Sequence, residues 1–293
     1  MSFRDALASG EFVVTSEVGP PKGTDITEMM QAAEALRSRV HALNVTDNQA
    51  AVMRMSTIAA CIHLKQAGIE PVLQVTGRDR NRIGIQSDLL GAASFGITTV
   101  LALTGDHVVV GDHKEAKPVF DLDSVQILEA VAALNSGTDL AGNELHGTPE
   151  LLVGAVVTPD ANPIKPQLAK FDKKVRAGAQ YFQTQAVYDA QNFLGFMEHA
   201  RERGAKVLAG IVVLRSARMA RFMNKNIPGI AVPPRLINEL ENSDNPEQTG
   251  VTIAARFIEE TRDHCDGVHI MAVGADHLVP LVLDAAGIGE VAQ

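Results

Sequence analysis

Glu17 and Asp106 are the acidic residues whose surroundings in the sequence best suit chemistry. Asp106 closes the segment TTVLALTGD at 98–106, in which the apolar run VLAL ends abruptly in Thr104-Gly105-Asp106. A continuous apolar run bounded by glycine reads as a strand covered on both faces, as in a parallel sheet. The glycine lets the backbone turn sharply or approach a ligand closely. The carboxylate then stands just past the strand's C-terminal end, where parallel α/β folds place their chemistry. On this segment alone a turn-capping aspartate reads equally well, but the pattern recurs. Other strand ends carry Glu17, Thr46-Asp47, Gln74 with Thr76, Thr158, Gln185 and Gly274. Carboxylates, amides and hydroxyls in this mixture suit a planar, hydrogen-bonding heterocycle better than a metal.

The other candidates are weaker. His107 and His113, with Asp106 and Asp112, could surround a metal, but they share one long loop with no third imidazole at ligand spacing, so no metal is expected. The HExxH, GxxxxGK[ST] and strand-linked GxGxxG patterns do not occur, and Gly287-Ile288-Gly289 follows a helix rather than a strand. His264 and His269 straddle the start of the last strand, on the wrong rim for catalysis, and read as structural. Arg78, Arg80 and Arg82 follow the third strand either as a solvated helix start or as an anion grip. On the basic helix 166–177, Lys174 is the cation best placed to reach a phosphate.

Positioning these residues requires a repeating scaffold. Apolar runs predict strands at 12–18, 42–46, 71–76, 100–103, 151–157, 181–185, 207–213 and 267–272. Between them, helical periodicity and caps predict helices, including one capped by Thr24 or Asp25 that runs to about 39, and others at 54–67, 82–94, 123–135, 166–177, 189–203 and 217–225. Two extra helices, 234–241 and 246–264, precede the eighth strand, and a last helix spans 275–286. Eight alternating units match a single (β/α)8 barrel across 1–293 better than an open doubly wound sheet. Its closure would gather every strand end on one rim. The loop 105–121 is longer than most βα connections, which favours a functional loop or lid.

Composition narrows the function classes. A net charge of -9 argues against a general nucleic-acid binder, which needs a basic surface. Hydrophobic content of 46% with 21% charged residues fits a globular protein with a sizeable core, and no apolar run reaches membrane-spanning length. The two cysteines, Cys61 and Cys265, form neither a disulfide framework nor a CxxC site, and the first residues lack a signal peptide's apolar core. A cytoplasmic protein is expected.

Several segments, in order, resemble the flavin-dependent methylenetetrahydrofolate reductases: Ser16-Glu17-Val18-Gly19-Pro20-Pro21, Asn44-Val45-Thr46, Gln74-Val75-Thr76-Gly77-Arg78-Asp79-Arg80-Asn81, Leu103-Thr104-Gly105-Asp106, Lys174-Val175-Arg176-Ala177-Gly178-Ala179, Thr184-Gln185 and Ile227-Pro228. The loop 111–124 is similar to that of the short form found in anaerobic bacteria, some of which pair the reductase with a partner subunit. The resemblance implies a TIM barrel that binds FAD, or FMN, and reduces methylenetetrahydrofolate with electrons from NADH, NADPH or a protein donor, as a homo-oligomer or in a complex. It implies Glu17 as general acid for opening the folate's five-membered ring, Asp106 as the carboxylate between flavin and folate, and Gln185 as a substrate contact. Thr46, Asp47, Gln74, Thr104, Gly105, Phe120, Asp121, Thr158, Asn162 and Lys174 fall on flavin-contact positions. A proton donor near neutral pH needs a raised pKa, which burial beside Val18 and the prolines would give Glu17. The chain departs from the common form at Gln74 (usually His), at Val18-Gly19 (usually aromatic), near Ala217 (a lost aromatic) and at Gly274-Ala275 (a lost arginine).

Overall fold

The computed structural model describes residues 2–291. Eight parallel strands close into a barrel in sequence order: β1 (Val13–Val18), β2 (Ala42–Val45), β3 (Pro71–Thr76), β4 (Thr99–Leu103), β5 (Leu152–Val157), β6 (Tyr181–Ala186), β7 (Lys206–Val212) and β8 (Gly267–Met271). Ahead of them lies α1 (Phe3–Ser9), and the crossovers carry α2 (Thr27–Leu36), α3 (Thr57–Gln66), α4 (Arg82–Ser94), α5 (Ser124–Asn135), α6 (Lys165–Arg176) and α7 (Ala190–Arg201). Between β7 and β8 come α8 (Ala217–Asn226), α9 (Pro234–Glu241) and α10 (Pro246–Thr261), and α11 (Leu278–Ala285) ends the fold. The architecture is the expected (β/α)8 barrel with extra helices before its eighth strand.

Local chemistry explains most boundaries. Asn81 caps α4 by accepting from the Ile83 and Gly84 amides, and Asp123 with Gln126 forms a capping box on α5. Two helix starts fall three residues later than the sequence reading, and α2 and α10 end three residues earlier. Helix α3 starts later than expected because Asn48, Ala50 and Ala51 take left-handed φ values of 45°, 54° and 57°. Helix α11 starts three residues late because Val273 and Gly274, at φ 49° and 76°, lead the chain away from the barrel wall first. The segment 136–149 is a surface excursion pinned by a Thr138–Glu144 bridge. No helix of the described residues is long and apolar enough to cross a membrane.

The barrel interior is layered. At its N-terminal end α1 plugs the bore with Phe3, Ala6 and Leu7, all buried against Val13, Leu101, Leu152, Tyr181 and Leu208. Phe3 meets the Tyr181 ring edge-on at 5.1 Å, and Tyr181 Oη donates to the Val100 carbonyl at 3.0 Å. Above the plug, Thr15, Asn44, Gln183 and His269 form a buried polar layer, and above that the bore opens. The plug needs a glycine at 154, where a Cβ would fall 2.3 Å from the Tyr181 ring. Gly154→Ala therefore should destabilise the fold by about 1–3 kcal/mol, the usual cost of overpacking a filled core. Denaturant unfolding checks this; an unchanged midpoint would show that the plug is loosely packed.

Candidate functional site

The C-terminal ends of the strands enclose a cavity of about 340 Å³, within the usual size range of small-molecule sites. Strands β1, β3, β4, β5, β6 and β8 and the loop after β2 contribute to its wall, so residues distant in sequence become neighbours. Glu17, Asp47, Gln74, Thr104, Gly105, Asp106 and Gln185 all lie on its wall. A second cavity, about 290 Å³, opens at the other end of the barrel beside Arg37, His41, Lys65 and Glu70. There Lys65 is already paired with Glu70 at 2.7 Å. The C-terminal cavity is therefore the candidate site, since it combines the convergent polar groups with a perturbed acid.

That acid is Glu17. Its side chain points inward from β1, and no described residue hydrogen-bonds its carboxyl. Burial, reinforced by the nearby Asp276 charge, pushes its pKa up to about 7. The arginines of the mouth are paired with carboxylates. Asp47 accepts from the Thr76 amide and hydroxyl, each at 2.9 Å, and is bridged by Arg80. Arg78, only 2% exposed, grips Asp79 through Nε at 2.8 Å and Nη2 at 2.6 Å, and reaches the Asp106 carbonyl at 3.3 Å. Arg82 binds Asp121 with two contacts of 2.9 Å. The arginines after β3 are thus not a free anion grip, because each is tied to a carboxylate, while Arg82 is an exposed helix start.

Six of the expected positions lie off the cavity wall. Thr46 is buried beside it, and its Oγ1 has no hydrogen-bond partner. Phe120 stacks on His107 at 6.1 Å, and Asp121 is held by Arg82. Thr158 abuts Gly229, whose Cβ would sit 2.2 Å from its methyl. Asn162 precedes a cis Pro163 in the loop before α6. Lys174 is buried, donates Nζ to the Val156 carbonyl at 2.6 Å, and is pushed down to about 8 by burial and by Lys170. His113 binds Asp112 at 2.9 Å, and no metal-ligating cluster of three forms among the described residues.

One expectation is corrected outright. His269 does not sit on the wrong rim: it lies inside the barrel, 4% exposed, lining the cavity beside Met271. Burial pushes its pKa down to about 3, so the ring is neutral. His264, by contrast, lies outside the barrel against Arg201. The sequence reading also missed Asn48, Gln49, Gln183 and Asp276. For Gln183 and His269 a signal existed: each is a polar residue at an inward, alternate position of its strand, and His269 is the one polar residue of β8.

Comparison with known proteins places this site in a family. The methylenetetrahydrofolate reductase profile matches residues 2–287. The chain belongs to that family. It is 22% identical over 258 residues to methylenetetrahydrofolate reductase 2 of Schizosaccharomyces pombe, a match that covers 79% of this chain and 36% of that protein. The chain thus spans about a third of that relative's length. A solved structure of similar fold, with TM-score 0.66 and 16% identity, covers 97% of this chain and 98% of its own. It is an uncharacterized protein from Clostridium thermocellum that binds two copies of 5-methyl-5,6,7,8-tetrahydrofolic acid.

The raised Glu17 pKa has a stability signature. A carboxyl that holds its proton more tightly when folded favours folding below its unfolded pKa, near 4.5, and that contribution is lost as pH rises through about 7. Glu17→Gln should match the wild type in thermal stability at about pH 4.5 and exceed it at about pH 8. Asp276→Asn, which removes the smaller contribution, should fall between them. Parallel pH–stability curves for wild type and Glu17→Gln would contradict the assignment.

Proposed function

We propose that this chain is a flavin-dependent reductase that converts 5,10-methylenetetrahydrofolate to 5-methyltetrahydrofolate. The observation that carries this reading is the Glu17 carboxyl, protonated near neutral pH and facing the cavity of a methylenetetrahydrofolate reductase-family barrel. Glu17 holds the proton that the substrate's bridging nitrogen takes up as its five-membered ring opens to an iminium. A pKa near the working pH suits a general acid, which must carry its proton and yet release it. Asp106, at the mouth, orients the heterocycle, and Gln185 opposite it binds the substrate.

The cavity wall fits a flavin ring. Amides at Gln74 and Gln185, the Thr104 hydroxyl and the Asp106 carboxylate offer donors and acceptors around the cavity. Gly105, at φ 89°, brings its backbone within Cβ reach of Thr76 and Arg78, leaving the wall free of a side chain there. The unpaired Thr46 hydroxyl is a buried polar atom in want of a partner. Gln74, Thr104, Gly105 and Asp106 would hold the ring, while Phe120, Asp121, Thr158, Asn162 and Lys174 would meet the rest of an FAD or FMN. A flavin bound there supplies hydride to the substrate carbon; the electrons come from NADH, NADPH or a partner protein. The shared fold with a protein that binds 5-methyltetrahydrofolate supports a folate at this mouth, and equally favours a second reading, a folate-binding barrel without redox chemistry.

A visible flavin spectrum in the purified protein, bleached by NADH or NADPH and recoloured by methylenetetrahydrofolate, tests the first reading; a colourless preparation that binds 5-methyltetrahydrofolate but takes up no flavin selects the second. Glu17→Gln should leave flavin content and its reduction within a few-fold of wild type while folate reduction falls about 10²–10⁴-fold, the usual contribution of a general acid. Turnover surviving within a few-fold would remove Glu17 from that role.

A further inference from the structure

His269 is the one imidazole on the cavity wall, and nothing in the proposed chemistry uses it. Its Nδ1 lies 3.0 Å from the Thr15 hydroxyl. In the same layer Asn44 and Gln183 bond reciprocally, Asn44 Nδ2 donating at 2.7 Å and Gln183 Nε2 donating back at 3.1 Å. Gln183 Nε2 also donates to Thr15 Oγ1 at 3.3 Å, so that hydroxyl is already an acceptor. Its single proton has two possible destinations: His269 Nδ1 at 3.0 Å and the Val268 carbonyl at 3.4 Å. The nearer, better bond goes to Nδ1. With Thr15 donating along that shorter contact, Nδ1 accepts and the neutral ring carries its one hydrogen on Nε2. Among the described residues Nε2 has no hydrogen-bond partner, yet it is not one of the sealed, unpartnered atoms, so it opens on the cavity.

We propose that His269 is a positioning residue whose neutral Nε2–H, held in that tautomer by Thr15, donates to a lactam carbonyl of the heterocycle bound in the barrel. The assignment rests on the proposed function, because pterins and isoalloxazines both carry such carbonyls and the cavity is read as holding them. It adds what that reading lacks, a donor deep in the bore that selects an oxo group over an amino group at the same ring position. The permanently neutral ring suits this work. A histidine that charged near neutral pH would add a proton donor competing with Glu17, whereas burial keeps this one out of the acid–base chemistry. A site built to hydrogen-bond one group discriminates strongly against its absence.

The test is calorimetric titration of wild type, His269→Leu, His269→Gln and Thr15→Val with 5-methyltetrahydrofolate, its 4-amino-4-deoxy counterpart and FAD. Wild type should prefer the 4-oxo pterin by about tenfold or more. His269→Leu should bring that preference within about twofold, His269→Gln, whose amide can replace Nε2–H, should restore most of it, and Thr15→Val should reduce it severalfold. Loss of FAD affinity in His269→Leu with the pterin preference intact would instead assign the bond to the flavin. The Gln and Thr15 variants keep the result readable if the leucine variant does not fold. Wild-type affinities and preference in all three variants would overturn the proposal alone. A wild type that binds neither folate nor FAD would overturn the proposed function and this assignment with it.

Discussion

The site depends on how β8 closes against β1. These strands are joined by ladder bonds, with Val13 opposite Gly267 and Thr15 opposite His269, and by side-chain bonds from Thr15 and Ser16 to β8. Gly267 permits the approach, since a Cβ there would lie 2.1 Å from the Val13 carbonyl oxygen. Between β6 and β7 Gly210 plays the same part, with a Cβ position 2.0 Å from the Thr184 carbonyl. Any side chain at either position would push the strands apart and open the ring. Closure in this register sets Thr15 beside His269 in one interior layer and places Glu17 one layer higher, at the open end.

The same closure sorts the charges. Around the mouth the cations are consumed by carboxylates: Arg80 by Asp47 and Asp88, Arg78 by Asp79, Arg82 by Asp121. Facing the bore are the Glu17 carboxyl, with no ion-pair partner among the described residues, and the neutral His269 ring. Their environments push both toward neutrality, Glu17 up to about 7 and His269 down to about 3. Desolvation disfavours charge of either sign, so one physical cause produces both shifts. Environments that separate the titration of neighbouring groups are how a fold assigns acid–base roles.

Much of this was legible in the sequence, for a physical reason: parallel barrel strands are buried on both faces and read as short apolar runs, and the polar residue that ends each run marks the rim. Glu17, Gln74, Asp106 and Gln185 were found that way, and closure brings them to one wall. The pairing of Arg80 with Asp47 and of Arg82 with Asp121 is a tertiary fact that local sequence does not carry. His269 was misplaced for a different reason. Its strand was taken at nearly the right length, but its neighbour Gly267 lies deep against Val13, so that the histidine rises into the bore rather than staying at the base. Asp276 was invisible because the left-handed turn at Val273 and Gly274, which brings it toward Glu17, has no signature beyond a single glycine.

The central claim is that the barrel mouth keeps one carboxyl protonated near neutral pH. The most direct measurement is a ¹³C NMR titration of the glutamate side-chain carboxyls, with the Glu17 signal assigned by its loss in Glu17→Gln. The account predicts a midpoint near 7 for that signal. A midpoint near 4.5, the ordinary glutamate value, would contradict it.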